Sequence, residues 1–297
     1  MSPRPRVDPK AAVDVLVNAA REAGNVLGAG GPAIDLYNGY LAWATAQERL
    51  LAGAFSERDV ERLLTTRRYW TIQNLDPVAY GASLSSFIAL ELNARIAAFD
   101  AEKRTLERDI SLWNVPSTFS AFAEHLHAVV VDTNVLMHHR GDLAGLDWSA
   151  ICDSHPSQSI AITVPAVVVA ELDDLKHSNG KMTIGGVAHE RRWLATLALG
   201  WLDRTFPDDD QRTLIRPAAV GDDGPITQLY AVLLSDPLGH VALPKADSEI
   251  IENALRLTGL AKSVTLASYD SHMIFTARHL GLRAHKLSGP SETPEDA

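Results

Sequence analysis

A short run of β-branched residues that ends on an acid constrains the fold more than any other feature of the sequence. Residues 127–131 read His-Ala-Val-Val-Val, and Asp132, Thr133 and Asn134 follow at once. Such an apolar run is typical of a strand buried in a parallel sheet. Ligands of open α/β sheets bind beyond the carboxyl ends of the strands, which is where Asp132 is placed. The acid could equally serve as the N-cap of the next helix, and this stretch alone does not decide between the two roles.

The hydrophobic pattern of the chain changes near residue 127. Residues 1–115 carry alanine-rich, amphipathic helical patterns and predict an all-α N-terminal domain. Residues 116–126 are predicted to be a linker. In residues 127–289, short β-type runs alternate with helical patterns, which predicts an α/β domain with a parallel β-sheet flanked by helices. Residues 290–297, rich in Pro, Ser and acids, are predicted to be disordered.

Within the predicted α/β domain, periodicity and breaker residues assign further elements. The predicted strands after the first cover residues 159–164, 213–217, 263–267 and 283–287. The predicted helices cover residues 165–176, 186–204, 226–234, 246–257 and 271–280.

Composition narrows the class of protein. The chain of 297 residues is 46% hydrophobic, and its single cysteine excludes an internal disulfide and a cysteine-rich zinc site. No apolar run approaches the roughly 20 residues that cross a bilayer, and no signal peptide is recognisable, so we expect a cytoplasmic protein. Of the net charge of −10, residues 128–297 carry −8 (14 Lys/Arg against 22 Asp/Glu). That balance argues against a broad basic face for nucleic acid, but it allows an acidic site that holds metal ions.

Three more acids occupy positions comparable to that of Asp132. Asp270 follows the predicted strand at 263–267, Asp247 begins a helix, and Glu171 lies in the helix after the second strand. Each could be a helix-terminal or solvated acid. Carboxylates brought together cannot all stay ionised without cations, and oxygen ligands without cysteine favour Mg²⁺ or Mn²⁺. Such ions lower the pKa of a water and stabilise the leaving oxygen in phosphodiester hydrolysis.

Two other uses of an acid after the first strand fit less well. A phosphatase with an aspartyl nucleophile would have a second Asp two positions on, where this chain has Asn134. A P-loop would require the pattern G-x-x-x-x-G-K-[ST], which the sequence lacks.

Four motifs in order resemble the PIN-domain ribonucleases over about residues 127–289. They are V-V-V-D-T-N-V-L around Asp132, V-P-x-V-V-V-x-E-L-D-x-L-K around Glu171, A-D-x-x-I around Asp247 and S-x-D-x-x-M around Asp270. The first two are most similar to bacterial PIN domains attached to PhoH-like ATPases, although no P-loop follows here. The resemblance implies a Mg²⁺/Mn²⁺ cluster at the carboxyl edge of a parallel sheet, with the first three acids as core ligands and Asp270 as a more variable fourth.

The resemblance also assigns supporting positions. Asn134 and Ser268 match polar positions that orient water or metal in the family. The fourth motif is usually T-x-D or T-N-D, and here it is Ser268-Tyr269-Asp270, which keeps a hydroxyl group. Basic residues near Glu171 are either a solvated helix face or contacts to RNA phosphates. These candidates are Lys176, Lys181, Arg191 and Arg192.

Other residues receive structural interpretations. His138 and His139 lack any partner at a metal-ligand spacing and are predicted to be surface or interface residues. Trp193 and Trp201 are predicted to lie in the core or at a subunit interface rather than to stack on bases.

The resulting hypothesis is a metal-dependent endoribonuclease that cleaves RNA through its carboxylate-bound ions. An alternative is a non-catalytic PIN-fold module that binds protein or RNA. A further alternative is the toxin of a toxin–antitoxin pair, which the extra 115 or so N-terminal residues make less fitting. The helical domain is nearly neutral, so we expect it to contact a protein partner or a second copy of the chain rather than to bind RNA strongly.

Overall fold

The computed structural model describes residues 3–4, 7–119, 123–207, 211–222, 224–236 and 240–288. The chain divides into two compact units, Met1–Ser111 and Leu112–Ala297. Residues 290–297, predicted to be disordered, lie outside the described residues. None of the described helices combines the length and apolarity needed to cross a membrane.

The first unit is helical. Short polar side chains begin two of its helices, since Ser56 accepts a hydrogen bond from the amide of Asp59 and Thr66 accepts one from the amide of Tyr69. The last helix is interrupted at Gly81, whose φ of 44° departs from helical geometry. The five helices are α1 (Pro9–Gly28), α2 (Ala33–Ala54), α3 (Glu57–Leu63), α4 (Arg67–Gln73) and α5 (Pro77–Leu112).

The core of the helical unit contains an acid whose charge is balanced by neighbouring basic side chains. Glu91 of α5 is fully buried, with 0% of the residue exposed. Its carboxylate lies 3.0 Å from Nε of Arg95, one turn later, and 3.7 Å from Nη1 of Arg68 on α4. The hydroxyl of Thr66 also donates to it at 2.9 Å.

The second unit is an α/β domain built on one main sheet. Its helices are α6 (Thr133–His138), α7 (Trp148–Cys152), α8 (Ala166–Leu175), α9 (Arg191–Thr205), α10 (Ala246–Leu257) and α11 (Ser271–His279). The strands of the main sheet are β3 (His127–Val131), β4 (Ile160–Pro165), β7 (Arg212–Arg216), β10 (Leu229–Leu234), β11 (Ser263–Ser268) and β12 (Arg283–Lys286). Antiparallel pairs are formed by β1 (Asn114–Pro116) with β2 (Ala123–His125), β5 (Lys181–Ile184) with β6 (Val187–Glu190), and β8 (Ala219–Gly221) with β9 (Gly224–Ile226).

The order of the main sheet is β12-β11-β3-β4-β10-β7, and every neighbouring pair is parallel except β10 with the edge strand β7. Every residue of β3 and β4 is buried, as a central strand covered by helices on both faces requires. The predicted fold class, a largely parallel sheet flanked by helices and preceded by a helical region, is confirmed.

Three local predictions differ from the structure. The helix predicted at residues 226–234 is wrong, because residues 229–234 form β10 in the middle of the sheet. The run Leu-Tyr-Ala-Val-Leu-Leu is apolar throughout, and periodicity cannot separate a buried strand from a buried helix. The helix predicted from residue 186 begins only at Arg191, because residues 187–190 pair with β5. The stretch predicted as a linker contains β2 and the end of β1.

Candidate active site

The topology brings the four predicted acids to one edge of the sheet. Strands β3, β4, β10 and β11 run parallel to one another, so their carboxyl ends share that edge. Asp132 follows β3, Glu171 lies in α8 after β4, Asp247 lies in the first turn of α10 after β10, and Asp270 follows β11. In the sheet, β4 and β10 lie on one side of β3, and β11 and β12 lie on the other side. The β3–β11 junction is therefore a topological switch point, where α/β sheets bind ligands.

Asp132 caps the next helix and also lies at the carboxyl edge of the sheet. One carboxylate oxygen, Oδ1, accepts a hydrogen bond from the amide of Val135 at 2.9 Å and so caps α6. The other, Oδ2, accepts one from the hydroxyl of Ser268 at 2.5 Å, across the junction with β11. Only 3% of the residue is exposed. The acid is therefore held in one orientation from two sides.

Charge couples Asp132 to two of the other acids. Burial is the main cause that raises the pKa of Asp132, to about 6, and the negative charges of Asp247 and Glu171 raise it further. The hydrogen bonds from Ser268 and Val135 act in the opposite direction but do not cancel the burial. The structure thus groups Asp132, Glu171 and Asp247 in one electrostatic environment.

A contact that the sequence reasoning missed positions Glu171. The hydroxyl of Thr133, the residue after Asp132, donates to Oε2 of Glu171 at 2.5 Å. Glu171 is half-buried on α8, whereas its neighbours Asp173 and Asp174 are exposed. The motif around Asp132 therefore supplies one acid and also a hydroxyl group that holds a second acid, Glu171, by a hydrogen bond. The signal in the sequence was the hydroxyl side chain next to Asp132.

Ser268 joins the fourth acid to the first. It is fully buried, and its Oγ accepts a hydrogen bond from the amide of Asp270 at 2.9 Å while it donates to Asp132. The exposed carboxylate of Asp270 accepts from the amides of His272 and Met273 at 2.6 and 3.4 Å, and so caps α11. Asp270 therefore has a structural role whether or not it also contributes to a metal site.

The four predicted acids do not surround a single metal position among the described residues. No three of the four predicted acids have ligand atoms that all lie within 4.8 Å of one another in the described part of the chain. Ligands at about 2.1 Å on opposite sides of one Mg²⁺ would be roughly 4.2 Å apart. Because Mg²⁺ usually keeps several waters and takes only one or two carboxylates directly, a looser group of acids still suits it.

Comparison with protein families decides the classification. The family model of the PIN domain matches residues 129–288, which is more than half of the chain. The chain belongs to the PIN-domain family. Members of this family are typically nucleases that bind divalent metals and nucleic acid, which supports a nuclease-type function here. A search of curated proteins finds no match.

The PIN domain also contains a second set of possible ligands that the sequence did not reveal. The ligand atoms of Asp236, His240 and Glu249 lie within 4.8 Å of one another. His240 Nε2 lies 2.6 Å from Oε1 of the buried Glu249, and the amide of Leu243 donates to Oε2 at 2.7 Å. These contacts attach the segment before α10 to that helix. His240 lies outside any regular element, so no periodicity could have predicted its position.

The paired histidines lie against the site rather than at the surface. His138 stacks on Tyr269 with ring centroids 4.2 Å apart, and His139 Nε2 lies 2.8 Å from the hydroxyl of Tyr269. Burial lowers the pKa of both histidines and raises that of Tyr269, and the charge of Asp132 raises the Tyr269 pKa further. Burial therefore favours the neutral form of both histidines at the end of α6.

The candidate RNA contacts divide into paired and unpaired cations. Lys176 lies 2.7 Å from Asp173, and Arg192 lies 2.7 Å from Glu190. Lys181 and Arg191 are exposed and form no salt bridge among the residues that the structure describes. Half-buried Asn134, predicted to orient water or metal, lies beside Asp132 in the first turn of α6.

The two tryptophans of α9 differ in their surroundings. Trp201 is half-buried, and a Cβ added at Gly141 would lie only 2.3 Å from its side chain. Trp193 is 44% exposed, so it does not lie in the core, and its position at a subunit interface stays a prediction.

Proposed function

We propose that this PIN domain is a Mg²⁺- or Mn²⁺-dependent endoribonuclease whose metal is held by Asp132, Glu171 and Asp247, with Asp270 as a peripheral acid. The observation that carries the proposal is the buried carboxylate of Asp132. It faces the charges of Asp247 and Glu171, and no basic side chain among the described residues pairs with it. A buried negative charge in an acidic environment is stabilised when a cation binds.

The donor set fits a hard divalent ion. All the proposed ligands are carboxylate oxygens, which Mg²⁺ and Mn²⁺ prefer over nitrogen or sulfur. The raised pKa of Asp132 describes the protein without metal, and a bound cation would favour the ionised carboxylate. When bound, the metal would activate water and stabilise charge on the leaving oxygen of a phosphodiester.

The chain's own residues orient the site. Ser268 and the amide of Val135 fix both oxygens of Asp132, and the hydroxyl of Thr133 holds Glu171. Lys181 and Arg191 are free to contact RNA phosphates beside the acids. Such contacts position the strand without reading its sequence.

The finer classification is part of this proposal. The motifs around Asp132 and Glu171 support the bacterial, PhoH-associated kind of PIN domain. The helical unit at Met1–Ser111 would then provide the surface for a protein partner or for a second copy of the chain.

A cleavage assay with Asp132→Asn tests the proposal. We expect the wild-type chain to cut end-labelled single-stranded RNA in Mn²⁺ and to stop in EDTA. Asp132→Asn should lower the rate at least a hundredfold, because an amide keeps the cap on α6 but offers a weaker, uncharged ligand. Asp174→Asn, an exposed acid on the same helix as Glu171, should cut at the wild-type rate.

One observation favours a second candidate, a PIN-fold module that binds RNA or protein without cleaving it. Within the described residues, no three of the four acids have ligand atoms that all lie within 4.8 Å of one another. Cleavage by Asp132→Asn at the wild-type rate in saturating Mn²⁺ would reject the nuclease proposal. RNA binding without cleavage by the wild-type chain would favour the module.

A further inference from the structure

We propose that Arg140, His189 and Trp193 form a platform on which a base of single-stranded RNA stacks. This inference rests on the proposed function and specifies the form of its substrate. The platform, as these three residues are called below, lies between the end of α6 and the start of α9.

His189 and Arg140 both pack against the indole of Trp193. The His189 ring stacks on Trp193 with centroids 5.4 Å apart and planes inclined by 21°. The guanidinium carbon of Arg140 lies 5.3 Å from the Trp193 ring centroid, and its Nη2 lies 3.4 Å from Nε2 of His189. Groups that close together lie on the same side of the ring. Trp193 nevertheless remains 44% exposed, and bases of single strands stack on exposed aromatic side chains.

The backbone of Arg140 adopts a left-handed conformation that is unfavourable for a residue other than glycine. Arg140 has a φ of 53° and occupies the position just after α6 where helices favour glycine. Its amide donates to the carbonyl of Met137, and the amide of Gly141 donates to the carbonyl of Leu136, which together form a Schellman motif. An arginine in this conformation is strained, and strained residues cluster at functional sites.

The charge around the platform is complementary to a phosphate backbone. Arg191 begins α9, two residues from both His189 and Trp193, and Lys181 lies opposite Glu190 at the start of the β5–β6 hairpin. Arg140 also lines a cavity of about 410 Å³ together with Arg204 and Trp201. A cationic surface with an aromatic face is the usual arrangement for binding a single strand.

The platform is within reach of the proposed metal site. Asp132 caps the start of α6 and Arg140 follows its end, and a helix of six residues is about 9 Å long. His139, next to Arg140, bonds to Tyr269, whose neighbour is Asp270. A strand held at Asp132 can therefore place a base a few nucleotides away on Trp193.

Binding of RNA in EDTA, without cleavage, tests the platform. The probe is a short fluorescein-labelled RNA of mixed sequence, measured by anisotropy as a single strand and as a duplex. We expect Trp193→Ala to weaken single-strand binding about tenfold, since stacking provides much of that affinity. Trp193→Phe should stay within about twofold, and duplex binding should not change, because paired bases hide their faces. Trp70→Ala, an exposed tryptophan of the helical unit, serves as the matched control.

Arg140→Gly separates function from folding. Glycine relieves the strained φ, so the melting temperature should stay equal or rise while single-strand affinity falls. Wild-type affinity in Trp193→Ala, or an equal loss for duplex and single strand, would overturn the platform. An Arg140→Gly variant that unfolds at lower temperature would assign Arg140 a structural role and also overturn it.

The outcomes distinguish this inference from the proposed nuclease function. In Mn²⁺, Trp193→Ala should raise KM with kcat unchanged, whereas Asp132→Asn should lower kcat. A wild-type chain that never cleaves but shows the expected binding differences would retain the platform and reject the nuclease. Cleavage with the same KM in wild type and Trp193→Ala would retain the nuclease and reject the platform.

Discussion

Two buried acids, one in each unit of the molecule, are stabilised in opposite ways. Glu91 in the helical unit has two arginines and a threonine hydroxyl around its carboxylate. Asp132 in the PIN domain has a serine hydroxyl and one amide, and the charges near it are those of Asp247 and Glu171. A buried charge is costly unless it is paired. The protein itself supplies the counter-charge for Glu91, whereas no basic side chain among the described residues pairs with Asp132.

The largest expected effect on stability is at Glu91. Glu91→Gln would leave the nearly buried Arg95 without its partner, so we expect the helical unit to lose about 3 kcal/mol. Hydrogen exchange over α4 and α5 would assign the loss to this unit. Glu107→Gln, in an exposed pair with Lys103, should cost no more than about 0.5 kcal/mol. Equal losses of stability for the two variants would contradict the view that pairing inside the helical unit stabilises Glu91.

Replacing Asp132 is expected to change stability in the opposite direction, that is, to raise it. Because the folded-state pKa is raised to about 6, the folded state holds the proton more tightly, and stability falls as pH rises from about 4 to 6. In EDTA at pH 8, Asp132→Asn should therefore stabilise the PIN domain by up to about 3 kcal/mol, less the cost of a weakened bond from Ser268. The gain should disappear below pH 4.

Chemical denaturation in EDTA at several pH values measures this gain. Destabilisation by Asp132→Asn at pH 8 would show that the carboxylate is already well compensated without metal. The comparison with Glu91 would then fail.

The sequence predicted most of what depends on periodicity and on strand order. The valine run before Asp132 and the runs at β4 and β11 are short and apolar, so they could be read as strands. Parallel strands end at the same edge, which is why the four acids could be placed together. β10 was misread because an apolar run of six residues has no period that separates strand from helix.

What the sequence could not predict depends on side-chain rotamers and irregular segments. The bond from Thr133 to Glu171 joins residues 38 positions apart, and the bond from Ser268 to Asp132 joins residues 136 apart. The resemblance placed Ser268 at the site without its partner. Trp193 carries an apolar side chain that propensity assigns to the core, but the structure leaves it 44% exposed at the start of α9.

A titration of the melting temperature with Mn²⁺ tests the central claim most directly. An ion that binds only the folded state stabilises it, by about 2.7 kcal/mol at 100 times its dissociation constant. Glu249→Gln controls for metal binding at Asp236, His240 and Glu249. We predict that Mn²⁺ raises the melting temperature of the wild-type chain and of Glu249→Gln, and leaves that of Asp132→Asn unchanged. A wild-type chain that does not respond, or an equal rise in Asp132→Asn, would contradict the claim that a metal ion balances the charge of Asp132.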